Sequence, residues 1–373
     1  MKIAFFTQLY MPDTGGAEIL MDRLVRSLQA QGHLVVVIAP RRWGNQVRLP
    51  YPVVRTLRPF SKHFLQHTLP PLLYAYARYR FEIIHCQSEY YAACVAHTFK
   101  RLTGVPYVVR ALGGQFNIVS QKPNLAPRMR RALQAADGAI AQGAFLYRQI
   151  LDYGIEADRI TTIHNGVDPA EILVDGTSPR PLPYLLYLGG LRHVKGYDVL
   201  LRAFAEIVDD IKPVQLVMAG GNQENEQFIK LLHSLGLSKE QVVFVGNLDR
   251  RQTALHLRHA LLYVCPFRRS PFSNANLEAL MAGTPIVATA VDGNIEQIRD
   301  GQDGALVPVE DPKQLALAIK GIYRDTELRR RMSMSATEQA QCFTWDKMVT
   351  KYLSLYQTVL QRSASNADVR AKG

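Results

Sequence analysis

Cysteine is scarce in this 373-residue chain, and its four cysteines form no Cys-x-x-Cys pair. This excludes the common zinc and thioredoxin motifs and predicts buried, reduced thiols. Long apolar runs are also missing. No stretch reaches the roughly 18 residues of a membrane-spanning helix, and the apolar start MKIAFF is too short for a signal peptide. We therefore expect a cytosolic protein.

Acidic residues are scarce in the first half of the chain. Residues 1–165 hold 20 Lys and Arg against 9 Asp and Glu, so they carry +11 of the net charge of +12. A basic surface of this kind either keeps a protein soluble or attracts phosphates and anionic lipid headgroups. Segment 56–80 mixes cations with aromatic and aliphatic side chains, as interfacial segments do, but Pro70 and Pro71 predict that it is not one long helix. The cations match no nucleic-acid-binding module, so we expect peripheral contact with a membrane and no nucleic acid.

Short apolar runs alternate with helical patterns, and the alternation starts twice. The runs predicted as strands are 2–10, 34–40, 81–87, 106–112 and 138–142, and then 183–191, 214–221, 242–247, 260–267 and 284–290. Helical spacing follows the first run of each half, over 14–33 and 196–208. The alternation predicts an α/β protein of two tandem, doubly wound, Rossmann-like domains with parallel sheets. We expect the proline-rich segment 177–183 to link them, and 344–361 to form a last helix before a frayed tail.

Two such domains are expected to enclose a cleft at the carboxyl ends of their strands, where open α/β sheets bind ligands. Gly15 and Gly16 stand between the first strand and its helix, where free N–H groups can hold an anion. They form no Gly-x-Gly-x-x-Gly fingerprint, which argues against a nicotinamide-dependent dehydrogenase. In LGGLRHVKG (188–196), glycines stand on both sides of Arg192 and Lys195, which are either diphosphate ligands or solvated cations.

Later strands of the second domain are followed by further candidate residues. Ser273 or Asn274 is predicted to cap a helix whose free N–H groups point into the cleft. Glu278 lies one turn inside that helix, where a carboxylate can accept both hydroxyls of a ribose. Three further candidates stand at the ends of the strands in between: Gly220, Gly221 and Asn247. They either leave room in the cleft for a base or a ribose or belong to ordinary turns.

Taken in order, these motifs resemble the retaining, GT-B-fold glycosyltransferases of family four, also called glycosyltransferase group 1. The stretches that carry the resemblance are GGAE, IHNGVD, YLGGLRHVKGYDVLLRAF, MAGG, FVGN, SPFSNANLEALMAGTPIVATAVDGN and FTWDKMVTKYLSLY. The resemblance implies transfer of a sugar from a UDP- or GDP-linked donor to a sugar, lipid-linked or other small acceptor, in glycan or glycolipid biosynthesis. It implies retention at the anomeric carbon, with no cofactor and no metal ion. It also implies an acceptor-binding domain at 1–167, completed by a crossing helix at 350–373, and a donor-binding domain at 168–349.

The resemblance implies roles for individual residues as well. Lys195, with Arg192 near it, would stabilise the diphosphate, and Glu278 would hold the ribose, so these three are expected to support catalysis. The donor is expected to contact Gly16, Gly190, Gly220, Gly221, Asn247, Ser270, Phe272, Ser273, Asn274, Leu277 and Glu278. The acceptor side is expected at Gly15, Gly16, Gly113 and Gly114.

Three positions depart from the family pattern. Ser270 replaces the first glutamate of the Glu-x7-Glu motif, which contacts the donor sugar, and Gly190 replaces an arginine. Leu112 stands in the place of a histidine, and we interpret His85 and His164 as structural. Loss of one carboxylate contact is expected to remove about 1.5–3 kcal/mol of sugar binding. The departures leave two alternatives open: a non-catalytic protein that binds a sugar nucleotide or a partner transferase, and a sugar-nucleotide epimerase.

Overall fold

The computed structural model describes residues 1–10, 16–41, 48–56, 64–119, 121–221, 226–270 and 272–372. The chain divides into two units. The first comprises Met1–Ile163 together with Val349–Gly373, and the second comprises His164–Met348.

The first unit is built on a parallel sheet, which has seven strands within the described residues. Its strands are β1 (Lys2–Phe6), β2 (Leu34–Pro40), β3 (Val53–Thr56), β4 (Ile83–Cys86), β5 (Tyr107–Arg110), β6 (Gly138–Ala141) and β7 (Ile160–Thr162). The order β3-β2-β1-β4-β5-β6-β7 reverses between β1 and β4. Nearly every residue of the central strands is buried, as helices on both faces of a parallel sheet require.

Six helices of the first unit precede its last helix in the described part of the chain. They are α1 (Gly16–Ala30), α2 (Phe64–Tyr79), α3 (Tyr91–Thr103), α4 (Gly114–Val119), α5 (Ala126–Gln134) and α6 (Ala144–Asp152). The expectation that Pro70 and Pro71 interrupt the segment before residue 80 is wrong, because α2 runs through both prolines. The buried residues Phe64, Thr68 and Leu72 recur every four positions, so packing of this stripe outweighs the two lost backbone hydrogen bonds.

The second unit repeats the plan with a parallel sheet that has six strands in the described residues. Its strands are β8 (Tyr184–Leu188), β9 (Gln215–Ala219), β10 (Val242–Gly246), β11 (Leu262–Cys265), β12 (Ile286–Thr289) and β13 (Gly304–Val307). The order β10-β9-β8-β11-β12-β13 reverses between β8 and β11. The predicted pair of doubly wound, Rossmann-like domains is therefore confirmed.

Helices and short 3-10 turns cover this second sheet. The helices are α7 (Pro169–Ile172), α8 (Tyr197–Ile207), α9 (Glu226–Ser234), α10 (Arg250–His259), α11 (Asn274–Met281), α12 (Asp292–Gln297), α13 (Pro312–Arg324) and α14 (Thr326–Ala340). The proline-rich segment 177–183, expected to link the domains, lies inside the second unit instead, between α7 and β8. The chain enters and leaves this unit side by side. The N–H of Val167 donates to the carbonyl of Phe343 (2.8 Å), and the N–H of Trp345 donates to the carbonyl of Val167 (2.9 Å).

The last helix, α15 (Trp345–Lys372), begins in the second unit and belongs to the first from Val349 onward, as the crossing-helix expectation requires. Within the first unit the hydroxyl of Tyr356 lies 2.8 Å from Nδ1 of His85, and both side chains are buried. The chain after residue 361 was expected to be frayed, but it continues the same helix to Lys372.

The four cysteines carry no disulfide. Cys86, Cys94 and Cys265 are buried, as expected, but Cys342 is exposed, because its neighbour Phe343 is the side chain that packs into the core. Among the residues that the structure describes, no helix is both long enough and apolar enough to cross a membrane.

Candidate functional site

The strand reversal between β8 and β11 brings together two loops of the second unit. One follows β8 and contains Arg192 and Lys195, and the other follows β11 and leads to Ser273. Nζ of Lys195 lies 3.8 Å from the centroid of the Phe267 ring, so the two loops are in direct contact. Crevices at such reversals are where open α/β sheets bind ligands. The cation predicted to bind a diphosphate is therefore at the expected edge of the sheet.

The loop after β8 is held in shape by its own backbone and by a buried tyrosine. The hydroxyl of Tyr187 donates to the carbonyl of Gly190 (3.2 Å), and the N–H of Arg192 donates to the same carbonyl (2.8 Å). A 3-10 turn, His193–Lys195, follows. Gly196 closes this turn with φ +65°, and a Cβ there would lie 1.8 Å from the carbonyl oxygen of Pro266. The two loops approach so closely that only glycine fits at this position.

Arg268 ties the loop of Lys195 to the helix that follows it. Its guanidinium donates to both carboxylate oxygens of Asp198 (2.7 and 2.9 Å) and also pairs with Glu310. It further donates to the carbonyl of His193, and its own N–H donates to the carbonyl of Val194 (3.0 Å). This planar fork therefore fixes the backbone just before Lys195.

The same ion pair makes stability depend on pH. Burial raises the pKa of Asp198, but hydrogen bonds from Arg268 and Arg202 outweigh burial and lower this pKa from 3.8 to about 2. A carboxylate whose folded pKa is depressed adds stability above its unfolded pKa, and this stability is lost as the pH falls toward the folded pKa. The stability that this carboxylate contributes is therefore lost between about pH 4 and about pH 2.

We expect Asp198→Asn to lower the free energy of unfolding by about 2 kcal/mol at pH 7. The difference from wild type should shrink below pH 4 and vanish near pH 2. Denaturant titration of both proteins at several pH values measures it. Asp209→Asn is the matched control, because that exposed carboxylate pairs with the exposed Lys212. Equal losses in the two variants, or a loss that does not depend on pH, would contradict the assignment.

The ends of β8, β9 and β10 form a glycine-rich floor beside Lys195. Backbone N–H groups of Gly189, Leu191 and Gly220 donate to the carbonyls of Ala219 (2.8 Å), Gly221 (3.3 Å) and Gly246 (2.8 Å), respectively. Gly220 has φ +146°, and a Cβ there would lie 2.3 Å from the carbonyl oxygen of Gly189. Asn247 is exposed at the end of β10, with its Oδ1 3.7 Å from the position of a Cβ on Gly221. The predicted donor residues Gly190, Gly220, Gly221 and Asn247 therefore share one edge of the sheet.

Gly190 and Gly220 differ in the space around them. A Cβ on Gly190 would meet no atom nearer than the carbonyl oxygen of Gly221, at 3.7 Å. We expect Gly190→Arg, which restores the family's residue, to change stability by no more than about 0.5 kcal/mol. It should tighten the binding of a nucleoside diphosphate about tenfold by adding a charge-assisted hydrogen bond. Gly220→Ala should instead cost about 1–3 kcal/mol through backbone strain. Thermal unfolding and calorimetric titration with UDP, GDP and ADP measure both effects, and a destabilised Gly190→Arg would contradict this reading.

Helix α11 begins at the loop that follows β11. Ser273 is its N-cap, and its hydroxyl accepts from the N–H of Asn276 (3.3 Å). Phe272, just before it, stacks on His164 with ring centroids 4.9 Å apart. Asn274 is exposed at the first helical position, and its Oδ1 accepts from Nδ2 of Asn165 (2.7 Å). The first N–H groups of α11 thus lie where an anion or a hydroxyl-rich group can be held.

Glu278 and Ser270 occupy different surroundings. Glu278 is half-buried, one turn into α11 beside the fully buried Leu277. Its charge also acts on Tyr263, whose pKa is raised by burial, by Cys265 and, to a smaller degree, by Tyr187 and Glu278. Ser270 is buried, and its carbonyl accepts from the N–H of Gly293 (2.9 Å). The carboxylate therefore lies near Tyr263 of β11, and the serine is a buried part of the loop that follows β11.

Burial lowers the pKa of Lys195, as does the nearby Arg192, and Cys265 acts in the opposite direction. The ammonium is thus partly desolvated, and in such surroundings its attraction to an anion is stronger than in water. Arg192 is exposed at the rim. Two cations of different exposure next to a glycine floor suit a diphosphate. Among the described residues, no group of three or more His, Cys, Asp and Glu could hold a metal ion, and metal independence stays a prediction.

The residues predicted for the acceptor side lie in the first unit. Gly16 is the first residue of α1, Gly113 has φ +82°, and Gly114 is the first residue of α4. Gly15 lies outside the described residues.

Polar residues at the β1/β4 reversal were missed by the sequence analysis. Nε2 of Gln8 donates to Oγ of Ser88 (3.3 Å), and Gln87 is buried between His85 (3.0 Å) and the carbonyl of Ala17 (3.5 Å). The polar run Gln87-Ser88-Glu89, directly after a buried strand, was the signal available in the sequence. His85 itself packs on Phe5. Burial lowers its pKa to about 3, against the opposing hydrogen bond to Gln87 and with a smaller lowering contribution from Arg110.

Two parallel-sheet domains, the second with cations near its strand reversal, place this chain among the two-domain Rossmann-like proteins. Two family models match this chain in tandem: "Glycosyltransferase Family 4" over residues 14–171 and "Glycosyl transferases group 1" over residues 171–339. The chain therefore belongs to the family-four, group 1 glycosyltransferases, and it is a transferase.

Individual relatives agree with this assignment. The D-inositol 3-phosphate glycosyltransferase of Acidothermus cellulolyticus is 28% identical, over 96% of this chain and 89% of that protein. The protein of the same name from a Nocardioides species is also 28% identical, over 61% of this chain but only 55% of its own length. A crystal structure of Anabaena Alr3699/HepE in complex with UDP superposes with a TM-score of 0.80, over 96% of this chain and 100% of that one, at 18% identity. That identity shows a shared fold and no more.

Proposed function

We propose that this protein moves a sugar from a nucleoside-diphosphate sugar to an acceptor, with retention at the anomeric carbon. The observation that carries the proposal is the contact of Lys195 with Phe267 at the β8/β11 reversal, beside the capped start of α11. This edge offers two cations, a glycine floor, free backbone N–H groups and the carboxylate of Glu278. Each suits one part of a nucleoside diphosphate.

Each group would act on one part of the donor. Lys195 and Arg192 would neutralise the charge that grows on the departing diphosphate, and the helix start at Ser273 would assist them. Glu278 would accept the two ribose hydroxyls. The sugar would pass through an oxocarbenium-like transition state, whose counter-charge is the diphosphate itself. UDP is our first candidate nucleotide, because the Anabaena protein of the same fold was crystallised with it.

Ser270 changes the sugar end of the site. A buried serine whose carbonyl is already bonded to Gly293 offers one hydroxyl where a carboxylate would offer two oxygens. We therefore propose weaker or different hydroxyl recognition on the sugar, with the diphosphate contacts unchanged.

The acceptor is proposed to bind the first unit, and a sugar or lipid-linked acceptor fits its charge. Helices α3 and α5 pack together and expose Arg101, Arg128, Arg130 and Arg131, with the exposed Leu102 beside them. Such a surface would rest on anionic headgroups at the membrane's inner face. Sedimentation with phosphatidylglycerol vesicles should fall as salt rises and be absent with phosphatidylcholine vesicles, and binding insensitive to salt would contradict this.

The proposal is tested by thermal unfolding of the wild type with UDP, GDP, ADP and their common sugar conjugates. One nucleotide should raise the midpoint, by an amount that grows with the logarithm of its concentration above the Kd, and its sugar conjugate should be slowly hydrolysed in the absence of acceptor. Binding without hydrolysis or transfer would favour a non-catalytic sugar-nucleotide-binding protein. Conversion of the conjugate into an epimer would favour an epimerase. No binding at all would overturn the donor site.

A further inference from the structure

A buried glutamine clamps the loop that begins α11. Oε1 of Gln297, the last residue of α12, accepts from the N–H of Ser273 (3.1 Å), and its Nε2 donates to the carbonyl of the same serine (2.7 Å). Gln297 is 0% exposed. A side-chain amide that bonds both peptide groups of one residue fixes the direction of that backbone as well as its position.

The clamp continues into two further amides. Nδ2 of Asn276 donates to Oε1 of Gln297 (3.0 Å) and to Oδ1 of Asn294 (2.9 Å), while Nδ2 of Asn294 donates to the carbonyl of Thr289 (2.8 Å). Both asparagines are 0% exposed. Every amide has its oxygen and nitrogen assigned by a neighbour, because flipping any one would place two donors or two acceptors face to face.

The network ends beneath Lys195. The hydroxyl of Thr289, the last residue of β12, donates to the carbonyl of Phe267 (2.5 Å). The ring of Phe267 carries the ammonium of Lys195 on its face, at 3.8 Å. A continuous chain of buried polar groups therefore joins the residue under the cation to the residue that starts α11.

The network is not explained by stability. Replacing hydrogen-bonded partners by apolar side chains of the same shape is often nearly neutral, whereas a buried polar atom without a partner is costly. Oδ1 of Asn276 is such an atom, since no described group bonds it. What the hydrogen bonds add is one fixed geometry in place of several packed alternatives.

We propose that the four residues of this network are positioning residues: Thr289, Asn294, Asn276 and Gln297. They fix the position of Phe267, on which Lys195 lies, relative to Ser273 at the start of α11. The proposal rests on the donor site proposed above. None of the four needs to touch the substrate. Each acts through the backbone of Phe267 or Ser273, so that an anion bound by Lys195 also meets the first N–H groups of α11.

Two variants test the network, and each cuts it at a different point. Gln297→Met keeps the side-chain length and releases Ser273, while Thr289→Val keeps the shape and releases Phe267. Leu315→Ala is the control, because Leu315 is equally buried but lies in α13, outside the network. Hydrogen–deuterium exchange of the amides at 263–269 and 272–278 needs no ligand, and calorimetry with UDP, GDP and ADP follows.

We expect Gln297→Met to speed exchange at 272–278 by about tenfold or more, and Thr289→Val to do so at 263–269. Each should also raise the Kd of the bound nucleotide roughly tenfold, the change that loss of about 1.4 kcal/mol produces. Leu315→Ala should lower the unfolding midpoint without either effect. Unchanged exchange in these two segments, or equal changes in the control, would overturn the proposal. If exchange changes but the wild type binds no nucleotide, the donor site fails and the network stands as a loop clamp.

Discussion

Replacing Glu278 by glutamine is expected to abolish about half or more of the stabilisation that a nucleoside diphosphate gives the wild-type protein. At a ligand concentration of about 100 Kd, binding should stabilise the wild type by about 2.7 kcal/mol. Loss of a charged hydrogen-bond acceptor costs about 1.5–3 kcal/mol, which weakens binding roughly 10- to 100-fold. At the upper limit the ligand would stand near its new Kd, and the stabilisation would fall to about 0.4 kcal/mol.

The role of Glu278 can be tested more sharply by changing the ligand. If its carboxylate accepts the ribose hydroxyls, the wild type should prefer UDP over 2′-deoxy-UDP, and Glu278→Gln should lose that preference. Glu226→Gln is the matched control, since this glutamate is also near the start of a helix but is exposed and paired with Lys230. A preference for the ribose that survives in Glu278→Gln would remove the glutamate from the nucleotide site.

Local patterns of sequence were enough to predict the central strands and the loops of the donor site. Strands such as Ile83–Cys86 and Leu262–Cys265 are buried on both faces, so they appear in the sequence as continuous apolar runs. Because ligands bind at the carboxyl ends of parallel strands, the residues that follow these runs could be named as candidates. Lys195, Gly220 and Ser273 were found in this way.

Three of the four edge strands in the described residues were missed, and the fourth, Val242–Gly246, was predicted. The missed strands are short and stand at the edges of their sheets: Val53–Thr56, Ile160–Thr162 and Gly304–Val307. Their residues are only partly buried, so they lack the apolar signature of a central strand. For α2 the error was the opposite one: its two prolines predicted a break, but the helix is continuous because its tertiary packing outweighs this local preference.

The groups that support the site were also beyond the reach of local patterns. Arg268 meets Asp198 across 70 residues of chain and Glu310 across 42. Gln297 meets Ser273 across 24. Nothing in the neighbourhood of these residues marks them as partners, and their pairing depends on the order of the strands. The candidate binding residues could be named from the sequence, whereas the residues that hold their loops in place could not.

These positioning contacts bear on how the altered sugar end should be interpreted. Ser270 departs from the family, yet its carbonyl accepts from the N–H of Gly293, and Gln297 bonds the backbone of Ser273. A loop that no longer binds a donor would not need these buried hydrogen bonds, because apolar packing would stabilise it equally well. We therefore propose a changed sugar preference in place of a loss of donor binding.

Lys195→Met is expected to lower the rate of sugar transfer by roughly 10²- to 10³-fold, the usual cost of removing one preorganised group that stabilises transition-state charge. Methionine can still pack on Phe267, so the fold should be kept. Arg192→Met should have a smaller effect, about tenfold, because Arg192 is exposed and its field is screened by water. Single-turnover rates and nucleotide Kd values for both variants separate a loss of catalysis from a loss of binding.

The pH dependence of the rate provides a second test of Lys195. Burial and then Arg192 lower the pKa of this lysine, against the opposing influence of Cys265. Transfer that requires the ammonium must therefore fall as the pH rises through a pKa below the ordinary value of 10.5. Removing Arg192 removes one of the groups that lower this pKa, so the alkaline limb should move to higher pH in Arg192→Met. An alkaline limb that stays in place in Arg192→Met, or a transfer rate in Lys195→Met within threefold of the wild type, would show that the leaving diphosphate is stabilised elsewhere.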